Sequence, residues 1–218
     1  LGKNSYIEYL YFICQLLKEG GININTIPVL DIFKKNSNSI IGNRSFSKKI
    51  NTVNSLKNIC FDVLKKNKIG SVSKHIPGHG SSKVDTHKQV SIIKKPLKDL
   101  LINDFNTFKN INCHFAMTAH IIYKNIDPIF NATHSKKIIN DFIRKRLSFK
   151  GILISDDISM KALSDDLIYN SKKALESGCN LVLYCKGNLR ESTLLLRNIN
   201  FIDSFTKKKT SEFYRFLR

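Results

Sequence analysis

No stretch of about 18 consecutive apolar residues occurs in the 218 residues of this chain, so nothing in it reads as a membrane-spanning helix. Its first residues lack a positively charged segment followed by an apolar core and a small-residue cleavage site, the pattern of a secretory signal. A soluble cytoplasmic protein with no membrane partner is the expectation. Cysteine is scarce and poorly spaced for chemistry: Cys14, Cys60, Cys113, Cys179 and Cys185 are odd in number and include no C-x-x-C. That argues against both a disulfide framework and a zinc site, and most of them are expected as small core residues. Acidic side chains are few, 17 against 36 Lys and Arg, for a formal net charge of +19. Such a balance ordinarily points to nucleic acid or another polyanion, because clustered cations gain affinity by releasing phosphate counterions. Clustering is what is missing. Lysines come as dispersed pairs such as Lys65-Lys66 and Lys172-Lys173, only Lys207-Lys208-Lys209 forms a run, and no aromatic residues interleave with them as a base-stacking platform. The excess charge is assigned to solvated helix faces, and no nucleic-acid partner is expected.

What the chain does have is alternation of short β-rich runs with amphipathic helices, the pattern of an α/β fold. Candidate strands are Ile22 to Leu30, Gly70 to Lys74, Asn112 to Thr118, Gly151 to Ser155 and Asn180 to Tyr184. Several are near-continuous apolar runs, as expected when both faces of a parallel sheet are buried. Between them, apolar stripes at 3–4 spacing predict helices: Leu10, Ile13, Leu16 and Leu17; Leu56, Ile59, Cys60, Val63 and Leu64; Leu97, Leu100, Leu101, Phe105 and Phe108; Ile138, Ile139, Phe142, Ile143 and Leu147. The length is one domain's worth. Polar residues fall where strands end, at Asp31, Lys74-His75, His120 and Asp156. Strand ends that converge on one mouth are what a (β/α)₈ barrel provides.

Two segments concentrate the chemistry. Residues 74–87, KHIPGHGSSKVDTH, pack two lysines, three histidines and an aspartate together, and Pro77, Gly78 and Gly80 forbid continued strand or helix there. A loop this dense in imidazole and carboxylate is a candidate active site. Within it, Asp85 and His87 are two apart, close enough for the carboxylate to accept from Nδ1 and leave Nε2 for proton transfer; the bland alternative is a turn in which Asp85 bonds its own backbone. The second segment, Ile154 to Met160, places Asp156-Asp157 after an apolar strand. Pleating puts Ile152, Ile154 and Asp156 on one side and Leu153, Ser155 and Asp157 on the other, so only one of the two carboxylates can face the mouth. By themselves such paired aspartates are more often a helix cap than a nucleophile.

These segments, K-H-I-P-G-H-G-x-x-x-x-D-T-H and I-S-D-D-I-S-M, resemble the signatures of glycoside hydrolase family 3, within it the bacterial β-N-acetylglucosaminidases. The likeness extends to Asn23 to Ile32 (NINTIPVLDI), which is similar to the family's third barrel strand. It also takes in Ile41-Gly42-Asn43-Arg44-Ser45-Phe46 and Met117-Thr118-Ala119-His120-Ile121-Ile122-Tyr123. Five blocks in the family's order cover most of residues 1 to 190, more than one short motif can claim. The resemblance implies a (β/α)₈ TIM-type barrel and a single domain over residues 1–218. It also leaves the family's first two strands, with their V-D-Q-E-G-G segment, without a counterpart. The expectation is an N-terminally incomplete barrel, as in a fragment, a mis-started gene or a decayed copy, with an unpaired sheet edge and a half-uncovered core.

The resemblance also implies roles. Asp156 matches the first aspartate of the family's S-D-D, its nucleophile; Asp157 would orient neighbours or cap the next helix. Asp85 and His87 match the dyad that acts as general acid and base, while Lys74 and His75 match the pair that donates to sugar hydroxyls, and Arg44 stands upstream at a family-like separation. His79 is expected to stabilise the loop. Asp31 and His120 could line the pocket or be satisfied core polar groups, and His114 and His134 are expected to be structural or exposed. Ser81 and Ser82 depart from the G-H-G-D-T of many members. The implied function is cofactor-free, retaining hydrolysis of terminal non-reducing β-linked N-acetylglucosamine from peptidoglycan fragments, through a covalent glycosyl-aspartate intermediate. Two rivals remain: an inactive sugar-binding remnant, and a metal-dependent hydrolase using His75, His79, Asp85, His87 and Asp156 as ligands.

Overall fold

A computed structural model describes residues 2–34, 41–163 and 166–218. In chain order its elements are α1 (Lys3–Glu19), β1 (Ile24–Asn25), a 3₁₀ turn (Gly42–Arg44), α2 (Ile50–Lys66), β2 (Gly70–Ile76), β3 (Ser91–Ile93), α3 (Leu97–Ile102), a second 3₁₀ turn (Asn106–Phe108), β4 (Phe115–Thr118) and β5 (Ile121–Tyr123). A π-helix (Ile138–Arg146), β6 (Ile152–Asp157), α4 (Leu167–Ser177), β7 (Leu181–Leu183), α5 (Leu189–Asn198) and α6 (Ser204–Leu217) follow. Strands β1-β2-β4-β6-β7 form one sheet in that order, every pair parallel. This is a parallel half-barrel in which helices return the chain between strands, as parallel pairing requires. Among the described residues no helix is long and apolar enough to cross a membrane.

All five expected strands are present, with differences that have local causes. The first is cut to two residues, because Pro28 has no amide hydrogen to give to β2; pairing resumes only at Val29, bridged to Lys74. The helix expected across Leu97 to Phe108 breaks after Ile102. Asn103 turns its side chain onto the Asp99 carbonyl, and Asp104 is drawn to Lys34, the kind of side-chain bonding that competes with helix. The stripe from Ile138 to Ile143 is buried as expected but on a π-helix. Of the α1 stripe, Leu10 is buried against α2 together with Cys14, beside Cys60 and Val63, whereas Leu16 is exposed. The two-stranded parallel sheet of β3 and β5 is additional. Three cysteines, Cys14, Cys60 and Cys179, are buried.

The sheet has apolar side chains on both faces. Ala116 and Leu153 join the main core with Phe105, Ile139, Phe142 and Ala174, under the helices. Val72, Phe115, Met117 and Ile152 point to the opposite face, where Phe213 of α6 packs on them. Gly70 opens β2 on that face, and a Cβ there would stand 2.6 Å from the Phe213 ring, so glycine lets α6 approach. The uncovered face expected of an open sheet is thus partly filled by the chain's own helix, while β1 and β7 remain its edges. In β6, Ile152 and Ile154 lie on the α6 side and Leu153 on the other; the pairing with β7 then shifts register between Ile154 and Asp157, which interrupts the alternation at the strand's C-terminal end, where Asp156 stands.

Candidate active site

Three strand ends meet at the C-terminal edge of the sheet. The chain after β1 supplies Asp31, β2 supplies Lys74 and His75, and β6 supplies Asp156. Asp31 is wholly buried. Its Oδ2 accepts from the His75 backbone N–H at 3.0 Å and from His75 Nδ1 at 2.7 Å, and its Oδ1 accepts from the His79 N–H at 2.6 Å. Because a carboxylate can only accept, His75 carries a proton on Nδ1. Nε2 is therefore the nitrogen turned outward, and it stands 4.0 Å from Asp156 Oδ2. Burial alone would raise the Asp31 carboxyl, but the adjacent His75 and the His79 N–H outweigh it and hold it below the usual carboxylate range.

Asp156 is under the same opposing forces. Burial favours its neutral form, yet His75, His120, the Asp157 N–H at 2.9 Å and Lys74 together depress its pKa, so it is a carboxylate at neutral pH. Lys74 is half-buried, and desolvation lowers its pKa against the pull of Asp156, with Arg44 acting in the same direction as burial. Arg44 lies on the 3₁₀ turn and is exposed. Asp157 points elsewhere: its Oδ1 accepts from the Ser159 and Cys185 N–H groups and its Oδ2 from the Ser159 hydroxyl at 2.7 Å. It orients neighbours and does not cap a helix, since α4 is capped by Asp166.

The histidine-rich loop is fastened at several points. Gly78 has φ +146°, and a Cβ on it would meet the Asp104 backbone; a Cβ on Gly80 would meet the Ile32 carbonyl. Its backbone is therefore laid against two other segments with no room for a side chain. Gly78 O accepts from the Tyr123 hydroxyl at 2.6 Å. Ser81 donates to Asp104 and is bonded by Lys34, and the Ser82 hydroxyl meets that of Ser91 at 2.7 Å. The serines that depart from the family pattern thus anchor the loop. His79 is buried, its Nε2 3.2 Å from the Thr86 hydroxyl, and burial, then His75, pull its pKa down to about 4. Its expected stabilising role fits this placement.

Asp85 and His87 are brought together, as their spacing predicts: Asp85 Oδ1 accepts from His87 Nδ1 at 2.9 Å and from the His87 N–H at 2.8 Å. The turn bond and the contact to the ring share one carboxylate oxygen and form together. The His87 side chain is 61% exposed, and among the described residues no hydrogen bond or ion pair joins the dyad to Asp156. His120 is buried behind the site: Nε2–H donates to the Asp157 carbonyl at 3.1 Å, and Nδ1 accepts from Thr133, whose hydroxyl also meets Thr118. Burial lowers its pKa despite Asp156. Asp31 and His120 are thus satisfied interior groups, beside His75 and near Asp156 respectively, and Thr133, which no sequence signal marks, completes the second. His134 is structural, donating to the Asn170 carbonyl, and His114 lies among Phe115, Phe213 and Phe216. The metal reading finds no ligand set: among the described residues no three His, Cys, Asp or Glu side chains stand together as a cation would need.

Comparison with known proteins agrees with this fold. Residues 12–208 match the profile described as the glycosyl hydrolase family 3 N-terminal domain. The β-hexosaminidase of Nitrosomonas eutropha is 33% identical over 180 residues, 80% of this chain and 51% of that protein. The β-hexosaminidase of Bordetella pertussis is 29% identical over 189 residues, 84% and 53%. The chain spans about half the length of these curated relatives. Among solved structures, a family 3 β-N-acetylglucosaminidase from Paenibacillus sp. FPU-7 superposes with a TM-score of 0.85 at 23% identity, covering 97% of this chain and 42% of that one. NagZ from Neisseria gonorrhoeae, in complex with N-trifluoroacetyl-D-glucosamine, gives 0.85 at 24%, covering 99% and 62%. At these identities the superpositions establish the fold.

Proposed function

The chain belongs to glycosyl hydrolase family 3, and from that membership we propose that it serves retaining hydrolysis of terminal, non-reducing β-linked N-acetylglucosamine, from peptidoglycan-derived fragments in the cytoplasm. The observation that carries the reading is the setting of Asp156: a mostly buried carboxylate kept ionised by His75, His120 and Lys74 at the mouth of a parallel half-barrel. An ionised, partly desolvated carboxylate beneath an anomeric carbon is the nucleophile that retention requires. Asp156 attacks C1 and the C1–O bond to the leaving group breaks. His87, oriented by Asp85 as a triad histidine is by its aspartate, gives its proton to the departing oxygen. The same imidazole then takes a proton from water, whose oxygen displaces Asp156 from C1 and restores the β-anomer. Lys74, Arg44 and His75 supply hydrogen-bonding groups for sugar oxygens. The aminosugar class is supported by the names of the curated relatives and by the ligand of the Neisseria structure.

The exposed position of His87 favours a second reading, sugar binding without turnover. Proton NMR during digestion of an aryl β-N-acetylglucosaminide separates the two. The β-anomer of N-acetylglucosamine appearing first supports retention, whereas the α-anomer first overturns it. Saturation-transfer contacts to the sugar without any product favour binding alone.

A further inference from the structure

We infer that Asp31 is a positioning residue for the site, acting through His75: it fixes the ring's Nδ1–H tautomer and orientation so that Nε2 meets substrate beside Asp156. The inference rests on the reading of Asp156 as nucleophile, and it adds a residue that touches neither substrate nor nucleophile. The two carboxylate oxygens divide the work. Oδ1 holds the backbone of the histidine-rich loop at His79, while Oδ2 takes both the backbone N–H and the ring Nδ1–H of His75. Ring and peptide of one residue are bound to one oxygen, so the imidazole plane is set relative to β2. Complete burial removes water as a competitor for any of these bonds. A satisfied buried carboxylate is by itself ordinary. What singles this one out is that the opposite nitrogen of the same ring stands 4.0 Å from Asp156 Oδ2, so a change of tautomer or a ring rotation is felt where bonds change. Hydrogen bonds to sugar hydroxyls that strengthen in the transition state enter kcat more than KM.

Asp31→Asn tests the inference, because the amide offers one oxygen to three N–H groups and sets an NH₂ against the others. Three quantities are measured on the full chain: the thermal melt, the ¹⁵N shifts of the His75 imidazole, and kcat and KM on an aryl β-N-acetylglucosaminide. In the wild type His75 Nδ1 should read as protonated and slow to exchange. In Asp31→Asn that signature should be lost and kcat should fall about 100-fold with KM changed only a few-fold, the scale seen when an orienting partner is removed. A wild-type His75 carrying its single proton on Nε2, or a folded variant with unchanged signature and kcat, overturns the inference. If the variant fails to fold, the wild-type spectrum and the partial recovery of kcat in Asp31→Glu decide the matter. Failure of the glycosidase reading is distinct: the wild type then gives no product, and the ¹⁵N spectrum still reports whether Asp31 sets the ring.

Discussion

Asp156 and Asp157 are consecutive, yet one strand turns them to different tasks: Asp156 faces His75 at 4.0 Å, while Asp157 is saturated by Ser159 and the Cys185 N–H. Only the first has an oxygen directed at the site. Asp156→Ala should abolish turnover of an aryl N-acetylglucosaminide. Asp157→Ala should leave a measurable rate, with a stability loss of about 1–3 kcal/mol for the donors left unpaired. Steady-state rates and urea melts check both, and equal losses of rate would contradict the assignment.

Histidine 87 matters in proportion to how poorly the leaving group departs. His87→Ala should slow hydrolysis of a disaccharide by about 10²–10⁴-fold, and that of a nitrophenyl glycoside far less, since the phenolate leaves unaided. Asp85→Asn should show a milder form of the same contrast, because the imidazole survives without its partner at 2.9 Å. Rate ratios on the two substrates are the measurement; equal damage to both would assign His87 to binding.

Gly80 is tied to the Ile32 carbonyl so closely that a methyl group cannot enter. Gly80→Ala should destabilise the chain by about 1–3 kcal/mol through overpacking, and should disturb the Asp31–His79 bond beside it. Urea denaturation, with ¹⁵N shifts of His79 as the local probe, tests this against Gly2→Ala, where a Cβ meets nothing within 4 Å.

Acid should destabilise the fold in two separated ranges. His79 and His134 are held neutral, each pulled by burial from 6.5 to about 4. Their unfolded forms bind protons first, so stability is full above pH 6.5 and falls as pH drops toward 4, by on the order of 3 kcal/mol for each. Asp31 and Asp156 are likewise shifted down, but from 3.8, so their contribution persists through that window and is lost only in stronger acid. Melting temperatures from pH 7 to 4 should decline, and His134→Gln should flatten the slope; a flat profile in the wild type would contradict the burial of these imidazoles.

What could be read from the sequence was what depends on near neighbours. The period of two in β6 predicts that Asp156 and Asp157 part, which they do although the strand shifts register against β7 just there; Pro77 with Gly78 and Gly80 marks the loop, and the two-residue spacing of Asp85 and His87 predicts their pairing. What escaped depends on distant partners. Asp31 finds His75 across 44 positions, and Asp104, whose pull on Lys34 70 positions away interrupts a helix, carries no local mark. The β3–β5 sheet is built of three-residue strands, too short for alternation to show. Leu16 looked like core because its spacing fits a stripe with Leu10, but α2 packs on the side that Leu10 shares with Cys14 and leaves Leu16 exposed.

The central claim is that Asp156 forms the covalent bond to the sugar, and a fluorinated N-acetylglucosaminide analogue that acylal-links to the nucleophile but hydrolyses slowly tests it most directly. After incubation with the full chain, intact mass and peptide mapping should show one adduct, on Asp156, absent in Asp156→Ala. An adduct on Asp157 or any other carboxylate, turnover of substrate with no trappable adduct, or neither turnover nor adduct would each contradict it.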